Sequence, residues 1–376
     1  MINYEVITTD AALAAFCRHA QAQSYLTLDT EFVRTRTLRA NLGLIQARAG
    51  EQLVLIDPLT DLDLSPLWAL LVDPELTKVI HAGGEDYEIF WQAMGQLPQA
   101  LFDTQVAAAM VGLGDALGYA ALVQHFEQVE VDKSQSRTDW LQRPLAPEQL
   151  TYAATDVLYL HDIYPRLQQA VSEQGRADLV RAESDFQAFK RAQQTPADLL
   201  YLFIGNAWQL SGQQLPVLRE LAAWRQQRAE QQNIPLGFVM KEHVLLELAR
   251  RAPTHTDKLR GFEELPVVTR KVAGADIIAA IERGLAAPAL PSLQRLTDMT
   301  GYKAAFKATK ELLDKHAEAC GIAANLLGSR RQINDTIHWY WQVPTEFYSR
   351  LTQPDLLQSW RGVMLEAELE SLLGRA

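Results

Sequence analysis

Acids stand out at three places in this chain, at two of them by interrupting an apolar pattern. In "LTLDTEFVRT", residues 26–35, Leu26 and Leu28 read as the buried face of a strand, with Phe32 and Val33 closing it. Asp29 and Glu31 break that run two residues apart, and strand side chains at i and i+2 point the same way. Two carboxylates side by side repel, and burying even one without a partner is costly. In "HAGGEDYEIF", Asp86 falls in the first turn of an expected helix, behind a turn through Gly83 and Gly84. In "YAATD", Tyr152 and Asp156 stand four residues apart and share one helical face. Each site has a plain reading: Asp29 and Glu31 paired with Arg34 and Arg36, Asp86 a helix-start acid, Tyr152 a core phenol. Together they are four acids and a phenol on separate elements of one domain. Hard oxygen donors of this kind suit Mg²⁺ or Mn²⁺ rather than zinc. Two such ions clamp the attacking and leaving oxygens of a phosphodiester displacement.

The elements that must hold these residues alternate over the first ~170 positions. "TTD" opens a helix carrying Leu13, Phe16, Cys17 and Ala20 at helical spacing. "YLTLDTEFV", "LGLIQARA" and "QLVLIDP" read as closely spaced strands, which pair antiparallel. "LSPLWALLV", "KVIHAG", "EDYEIFWQAM" and "LFDT" then switch to a βαβ rhythm. The expectation is an α/β domain, a mixed sheet with helices on both faces. "PEQLTYAATDVLYLHDIYPRLQQAV" begins a helical run, and beyond residue 200 every periodic segment is helical. "AAPALP", residues 286–291, punctuates that half into two small all-α modules.

Composition bounds the class. At 376 residues, with 48% hydrophobic and 22% charged residues, the chain has the make-up of a multidomain globular protein. It carries no apolar run near the ~20 residues a spanning helix needs, so no membrane partner is expected. Cys17 and Cys320 supply neither a disulfide framework nor a zinc knuckle, and "MINYEVITTD" lacks the pattern of a signal peptide, so the expected location is cytoplasmic. The net charge of −11 is uneven. Residues 1–200 hold 27 acids against 14 Lys+Arg, and residues 201–376 hold 19 against 21, which suggests a division of labour.

"DTE", "HAGGED" and "YAATD", in that order, resemble the three motifs of the DEDD 3′→5′ exonucleases, in the subgroup with tyrosine in the third motif. With "LDTEFVRTRT", "GLIQ", "LIDPL", "DKSQSRTDWLQRPL" and "SRRQIN", the whole chain is similar to the bacterial ribonuclease D family. The resemblance implies an RNase H-like exonuclease domain over 1–170, a helical linker over 171–205, one HRDC domain over 206–287 and an HRDC-like domain over 288–376. It implies that Asp29, Glu31 and Asp156 hold the ion carrying the attacking water, that Asp29 bridges to a second ion supported by Asp86, and that Tyr152 orients the water. Phe32 is similar to a residue that wedges against the terminal base. His81 reads as a strand-end residue and not a metal ligand, and is kept as a substrate contact. Lys133, Ser134 and Arg137, in "VDKSQSRTDW", are read either as a solvated loop or as phosphate contacts.

Grip on a longer RNA is expected from the helical half. Lys303, Lys307 and Lys310 share a helical face, and Arg330 and Arg331 follow, although a merely solvated basic face is the competing reading. Trp339 and Trp341 read as core. The implied activity is a monomeric, two-metal 3′→5′ exoribonuclease that releases nucleoside 5′-monophosphates and trims tRNA precursors and other structured RNAs. The alternatives are a DNA 3′→5′ exonuclease of proofreading or Werner type, and a non-catalytic RNA-binding protein.

Overall fold

Residues 2–132 and 134–374 are described by the structure, a computed structural model. Strand β1 (Glu5–Ile7) leads into helix α1 (Asp10–Gln21), where Thr9 caps the Ala12 amide at 3.4 Å. Three closely spaced strands follow: β2 (Tyr25–Val33), β3 (Asn41–Ala49) and β4 (Gln52–Ile56). Next come α2 (Ser65–Val72), β5 (Thr77–Ile80), α3 (Gly84–Met94), β6 (Leu101–Asp103), α4 (Thr104–Met110) and α5 (Tyr119–Glu127). Two long helices, α6 (Pro147–Glu173) and α7 (Ala177–Ala192), end this part.

Among the described residues the six strands form one sheet in the order β1-β4-β3-β2-β5-β6. The β2–β3 and β3–β4 pairs are antiparallel, and the β1–β4, β2–β5 and β5–β6 pairs are parallel. This is the mixed sheet that the strand spacing implied, with β1 added at one edge. Three residues, Glu5–Ile7, are too few to show alternation in the sequence.

The register of β2 on β3 sets Asp29 opposite Gln46 and Glu31 opposite Leu44, and then slips, so that Phe32 faces Leu42. Gly43 is thus the extra residue of a bulge, a device that re-aims neighbouring side chains. Only glycine fits there, because an added Cβ would lie 2.5 Å from the Trp140 carbonyl oxygen. Arg143 completes the lock. Its guanidinium donates to the Gly43 carbonyl at 2.6 Å, to both Asp57 oxygens at 2.6 and 2.7 Å, and to the Trp140 carbonyl at 2.9 Å.

Helix α6 crosses the same face of the sheet. Leu44, Leu53 and Leu55 pack against its Ala153, Ala154 and Val157. Thr27 and His161 Nδ1 meet at 2.9 Å, and Arg48 reaches the Leu158 carbonyl at 2.7 Å and Asp162 at 3.1 Å. These contacts fix the helix's rotation, and so fix where Tyr152 and Asp156 point.

The remaining chain has no strand among the described residues. A first module contains α8 (Leu215–Gln232), α9 (Leu236–Val239), α10 (Glu242–Arg251) and α11 (Val267–Ala286). A second contains α12 (Tyr302–Cys320), α13 (Ala324–Leu327), α14 (Arg330–Gln342) and α15 (Ser359–Leu373). The first touches the loop after β2, where the Leu38 and Arg39 amides donate to Asn233 at 3.1 and 3.0 Å. The second docks on α7. Lys190 pairs with Asp355 at 2.7 Å, and the buried Glu183 is held by Arg361 and by the Trp360 indole at 2.7 Å.

Candidate active site

Asp29 and Glu31 lie on the β2 face that meets α6, and Tyr152 and Asp156 lie on the α6 face that meets β2. All four line one cavity of about 230 Å³, together with His81 at the end of β5. Neither Arg34 nor Arg36 neutralises the pair: Arg34 reaches Glu85 at 3.4 Å and Glu88 at 3.0 Å instead. Among the described residues no basic side chain forms an ion pair with Asp29, Glu31, Asp86 or Asp156.

The electrostatics follow from that absence. Burial, and then the charges of Asp86, Asp156 and Glu31, push the Asp29 carboxyl well above the carboxylate range. Burial, then Asp156 and Asp86, raises Glu31 to about 9, and burial raises Asp156 to about 8. Tyr152 is pushed up by burial and by Asp156, Glu31 and Asp29, so it stays a phenol. Such a cluster of acids disfavours its own ionisation and gains from any cation that enters.

Asp86 sits in the first turn of α3, as expected. It is not part of the cavity lining, yet its charge acts on both Asp29 and Glu31, and it accepts from the Thr30 hydroxyl of β2. Burial raises it to about 6 against the lowering effect of that bond. The turn before α3 is cradled by Asp103, whose carboxylate accepts from the Ala82 and Gly83 amides at 2.9 and 3.0 Å. The left-handed residue of this turn is Ala82, with φ 53°, and not either glycine. Gly83 is needed for closeness, since a Cβ there would lie 2.5 Å from Ile80 Cγ2.

The other candidates distribute differently. His81 lines the cavity with Nδ1 2.9 Å from the Thr104 hydroxyl, and burial pushes its imidazole below the ordinary value. Phe32 is half-buried past the bulge and is not part of the cavity lining. Lys133 lies outside the described residues. Ser134 is exposed and donates to Asp132 at 2.8 and 2.7 Å, and Arg137 is exposed. The loop's contributions to the wall are Val131, Asp132 and Ser136. Lys303, Lys307, Lys310, Arg330 and Arg331 are all exposed on the second module, far in the chain from the acids. Most are engaged locally: Lys307 with Glu311, Lys310 with Asp314, Arg331 with Asp335, and Arg330 over the Phe306 ring at 5.6 Å. Trp339 is buried and Trp341 half-buried, as core residues should be.

Two cavity neighbours were not singled out from the sequence. Tyr119 lines the wall and donates to the Thr155 carbonyl at 2.7 Å, bracing α6. Gln46, opposite Asp29, is fully buried and both of its amide atoms lack a partner. A tyrosine beside a glycine and a glutamine inside "GLIQ" carry no spacing signal that would have flagged them.

The donor set fits hard divalent cations: several carboxylates with no protein cation, facing one cavity from separate elements. Among the described residues no three acidic, His or Cys groups already converge as a closed cage. The acids nevertheless share one cavity, and their charges act on one another.

Residues 4–172 match the family described as 3′-5′ exonuclease, residues 214–281 the HRDC domain, and residues 300–369 the ribonuclease D C-terminal HRDC domain. Ribonuclease D of Escherichia coli (strain K12) is 41% identical over 375 residues, covering 99% of both chains. The chain belongs to the ribonuclease D family. Ribonuclease D of Haemophilus influenzae is 34% identical, covering 98% of this chain and 93% of that one. The crystal structure of Escherichia coli RNase D, described as an exoribonuclease involved in structured RNA processing, superposes with a TM-score of 0.91 at 40% identity, covering 99% of both chains. The catalytic core of RRP6 from Trypanosoma brucei, at 22% identity and a TM-score of 0.58, covers 76% of this chain and 80% of its own, and shares the fold. The architecture of this ribonuclease D family member is therefore an exonuclease domain followed by HRDC domains. Among the described residues no helix is long and apolar enough to cross a membrane.

Proposed function

We propose that this member of the family, a hydrolase of the 3′→5′ exoribonuclease type, trims the 3′ ends of tRNA precursors and other structured RNAs with two bound divalent cations, Mg²⁺ or Mn²⁺. The observation that carries this reading is the set of carboxylates, Asp156 buried and Asp29 and Glu31 half-buried, that line one cavity with no protein cation among the described residues. Asp29, Glu31 and Asp156 would hold one ion, and Asp29 with Asp86 the other. When bound, the ions supply charge neutralisation and Lewis-acid activation for phosphodiester displacement. The Thr30 hydroxyl engages Oδ1 of Asp86, which leaves Oδ2 to take part directly or through water.

The chain's own groups do the rest. The Tyr152 phenol orients the attacking water, which adds to the terminal phosphorus as the bond to the 3′ oxygen breaks. That oxygen takes up a proton, and a nucleoside 5′-monophosphate leaves. Phe32 and His81, with Lys133, Ser134 and Arg137 on the adjoining loop, are the proposed contacts to the 3′-terminal nucleotides. Lys303, Lys307, Lys310, Arg330 and Arg331 are the proposed contacts to the body of the RNA. The proposed units are 1–170, 171–205, 206–287 and 288–376, working as a cytoplasmic monomer. Escherichia coli RNase D, described as acting in structured RNA processing, supports RNA over DNA as the substrate.

The test is incubation with a 3′-extended tRNA and a matched single-stranded DNA, each with Mg²⁺ and with EDTA. Shortening of the tRNA from its 3′ end, with 5′-monophosphates released only when the metal is present, is the expected result. RNA shortening that persists undiminished in EDTA would remove the metal reading.

A further inference from the structure

The sheet face under α6 carries a short series of polar side chains, and all but one have an evident task. Thr27 meets His161, Arg48 holds the Leu158 carbonyl and Asp162, and Asp29 and Glu31 line the cavity. Gln46 is the exception. It is 0% exposed, yet neither its amide nitrogen nor its amide oxygen has a hydrogen-bond partner. Leaving such a group unsatisfied costs ~1–3 kcal/mol, and an apolar residue of similar shape would avoid that cost. Its apolar neighbours on the same face, Leu44 and Leu55, show that leucine is accommodated there.

The register says what Gln46 is beside. It stands directly across from Asp29 on β2, and residues so paired in an antiparallel ladder share a face, with Cβ atoms ~4.5–5.5 Å apart. A glutamine reaches two carbons beyond its Cβ, so a rotation within its staggered wells brings its amide to the Asp29 carboxylate. Thr27, the next polar residue along β2 on that face, is already committed to His161.

We propose that Gln46 is a positioning residue for the metal site, whose side-chain N–H donates to Asp29 when that carboxylate holds a divalent cation. The inference rests on the two-cation reading above. Outer hydrogen bonds of this kind fix the orientation of a ligating carboxylate, and their removal costs ~10–100-fold in metal affinity. The amide's missing partner then belongs to the loaded state of the site. Asp29 gains a fixed rotamer from it, and Gln46 loses its unsatisfied donor.

The measurement is Mn²⁺ affinity of the full chain by calorimetry, without substrate, for the wild type, Gln46→Leu and Gln46→Met. The two substitutions keep an apolar side chain of similar volume, and the flexible methionine guards against a packing failure of the leucine. The expected result is a Kd raised by ~10-fold or more in both variants. Their metal-free melting temperatures should equal or exceed that of the wild type, because the orphaned amide is gone, and saturating Mn²⁺ should raise them by less. A Kd within twofold of the wild type in a folded variant overturns the role of Gln46 and leaves the two-cation reading intact. A wild-type chain that takes up no Mn²⁺ overturns the two-cation reading, and this inference with it.

Discussion

Two of the places where this chain withdraws carboxylates from solvent treat them in opposite ways. At the seam between α7 and α15, Glu183 is buried with Arg361, which also donates to the Leu327 carbonyl at 2.8 Å and the Leu326 carbonyl at 2.7 Å, and with the Trp360 indole. Its cation is permanent and makes four hydrogen bonds. Under α6, Asp29, Glu31 and Asp156 share a cavity and among the described residues have no cation at all. A buried acid with a resident partner holds the fold together. A cluster without one is held in place by the fold, at a cost, and waits for a partner that can come and go. The same side-chain chemistry thus separates into structure and function by whether the counter-charge is covalently part of the chain.

Mutations should separate the two settings. The largest effect is expected from Asp29→Asn or Asp156→Asn, which should reduce exonuclease turnover to background. Each should leave the metal-free melting temperature unchanged or raised, because a repelling charge is removed. Near-normal turnover in either would mean that the cavity is not the reaction centre. Arg361→Met should do the reverse: it strands Glu183 and should lower stability by ~3–5 kcal/mol, read from the urea midpoint, while turnover per folded molecule persists.

A smaller loss is expected where a group only orients water. Tyr152→Phe should lower kcat by about 10²-fold with metal affinity unchanged, and weakened metal binding in this variant would assign Tyr152 a different role. Smaller again is a pH effect on stability. Asp86, Asp156 and Glu31 have folded values of about 6, 8 and 9, above the ordinary carboxylate range. The folded state therefore binds more protons than the unfolded state across this window, and metal-free stability should fall as pH rises from ~4 to ~9. Mg²⁺ should then raise the melting temperature more at pH 8 than at pH 5. A metal-free melting temperature flat across that range would contradict the buried, unpaired description of the acids.

The smallest effect belongs to the exposed lysines. Lys307 and Lys310 are each paired within their own helix, at 3.6 and 2.9 Å, so part of their charge is already answered. Replacing Lys303, Lys307 and Lys310 together by alanine should raise KM for a structured RNA a few-fold and reduce its salt slope by ~2–3. Unchanged salt dependence would return that face to a merely solvated one.

The acids were legible in the sequence because polarity at a strand or helix period is a local signal. Asp29 and Glu31 interrupt an apolar strand, and Asp156 interrupts an apolar helix flank, so each announces itself within a few residues. The strands β2 to β6 and the long helix α6 were legible for the same reason. What escaped depends on pairing between distant segments. That the Thr30 hydroxyl donates to Asp86 requires β2 beside α3. That Gln46 lies opposite Asp29 requires the register and its bulge at Gly43. The Glu183–Arg361 seam joins residues 178 positions apart, and no window of sequence contains both. In "HAGGED" the glycines suggested a turn by conformational freedom, but the left-handed residue is Ala82, and Gly83 serves close packing instead.

The Arg143 fork bears on how a product departs. It ties the trailing end of the loop over the cavity to β3 and Asp57 through three short hydrogen bonds, and a fourth to the Trp140 carbonyl braces that end from within. That end is a fixed jamb. Any widening that lets a cleaved nucleotide out has to hinge ahead of Trp140, where Asp132 and Ser136 form the wall and the chain is largely exposed. Departure of the product would then be a step separate from the chemistry. A kcat that falls with added solvent viscosity in the wild type, but not in Tyr152→Phe where chemistry is slow, is the kinetic signature of that hinge.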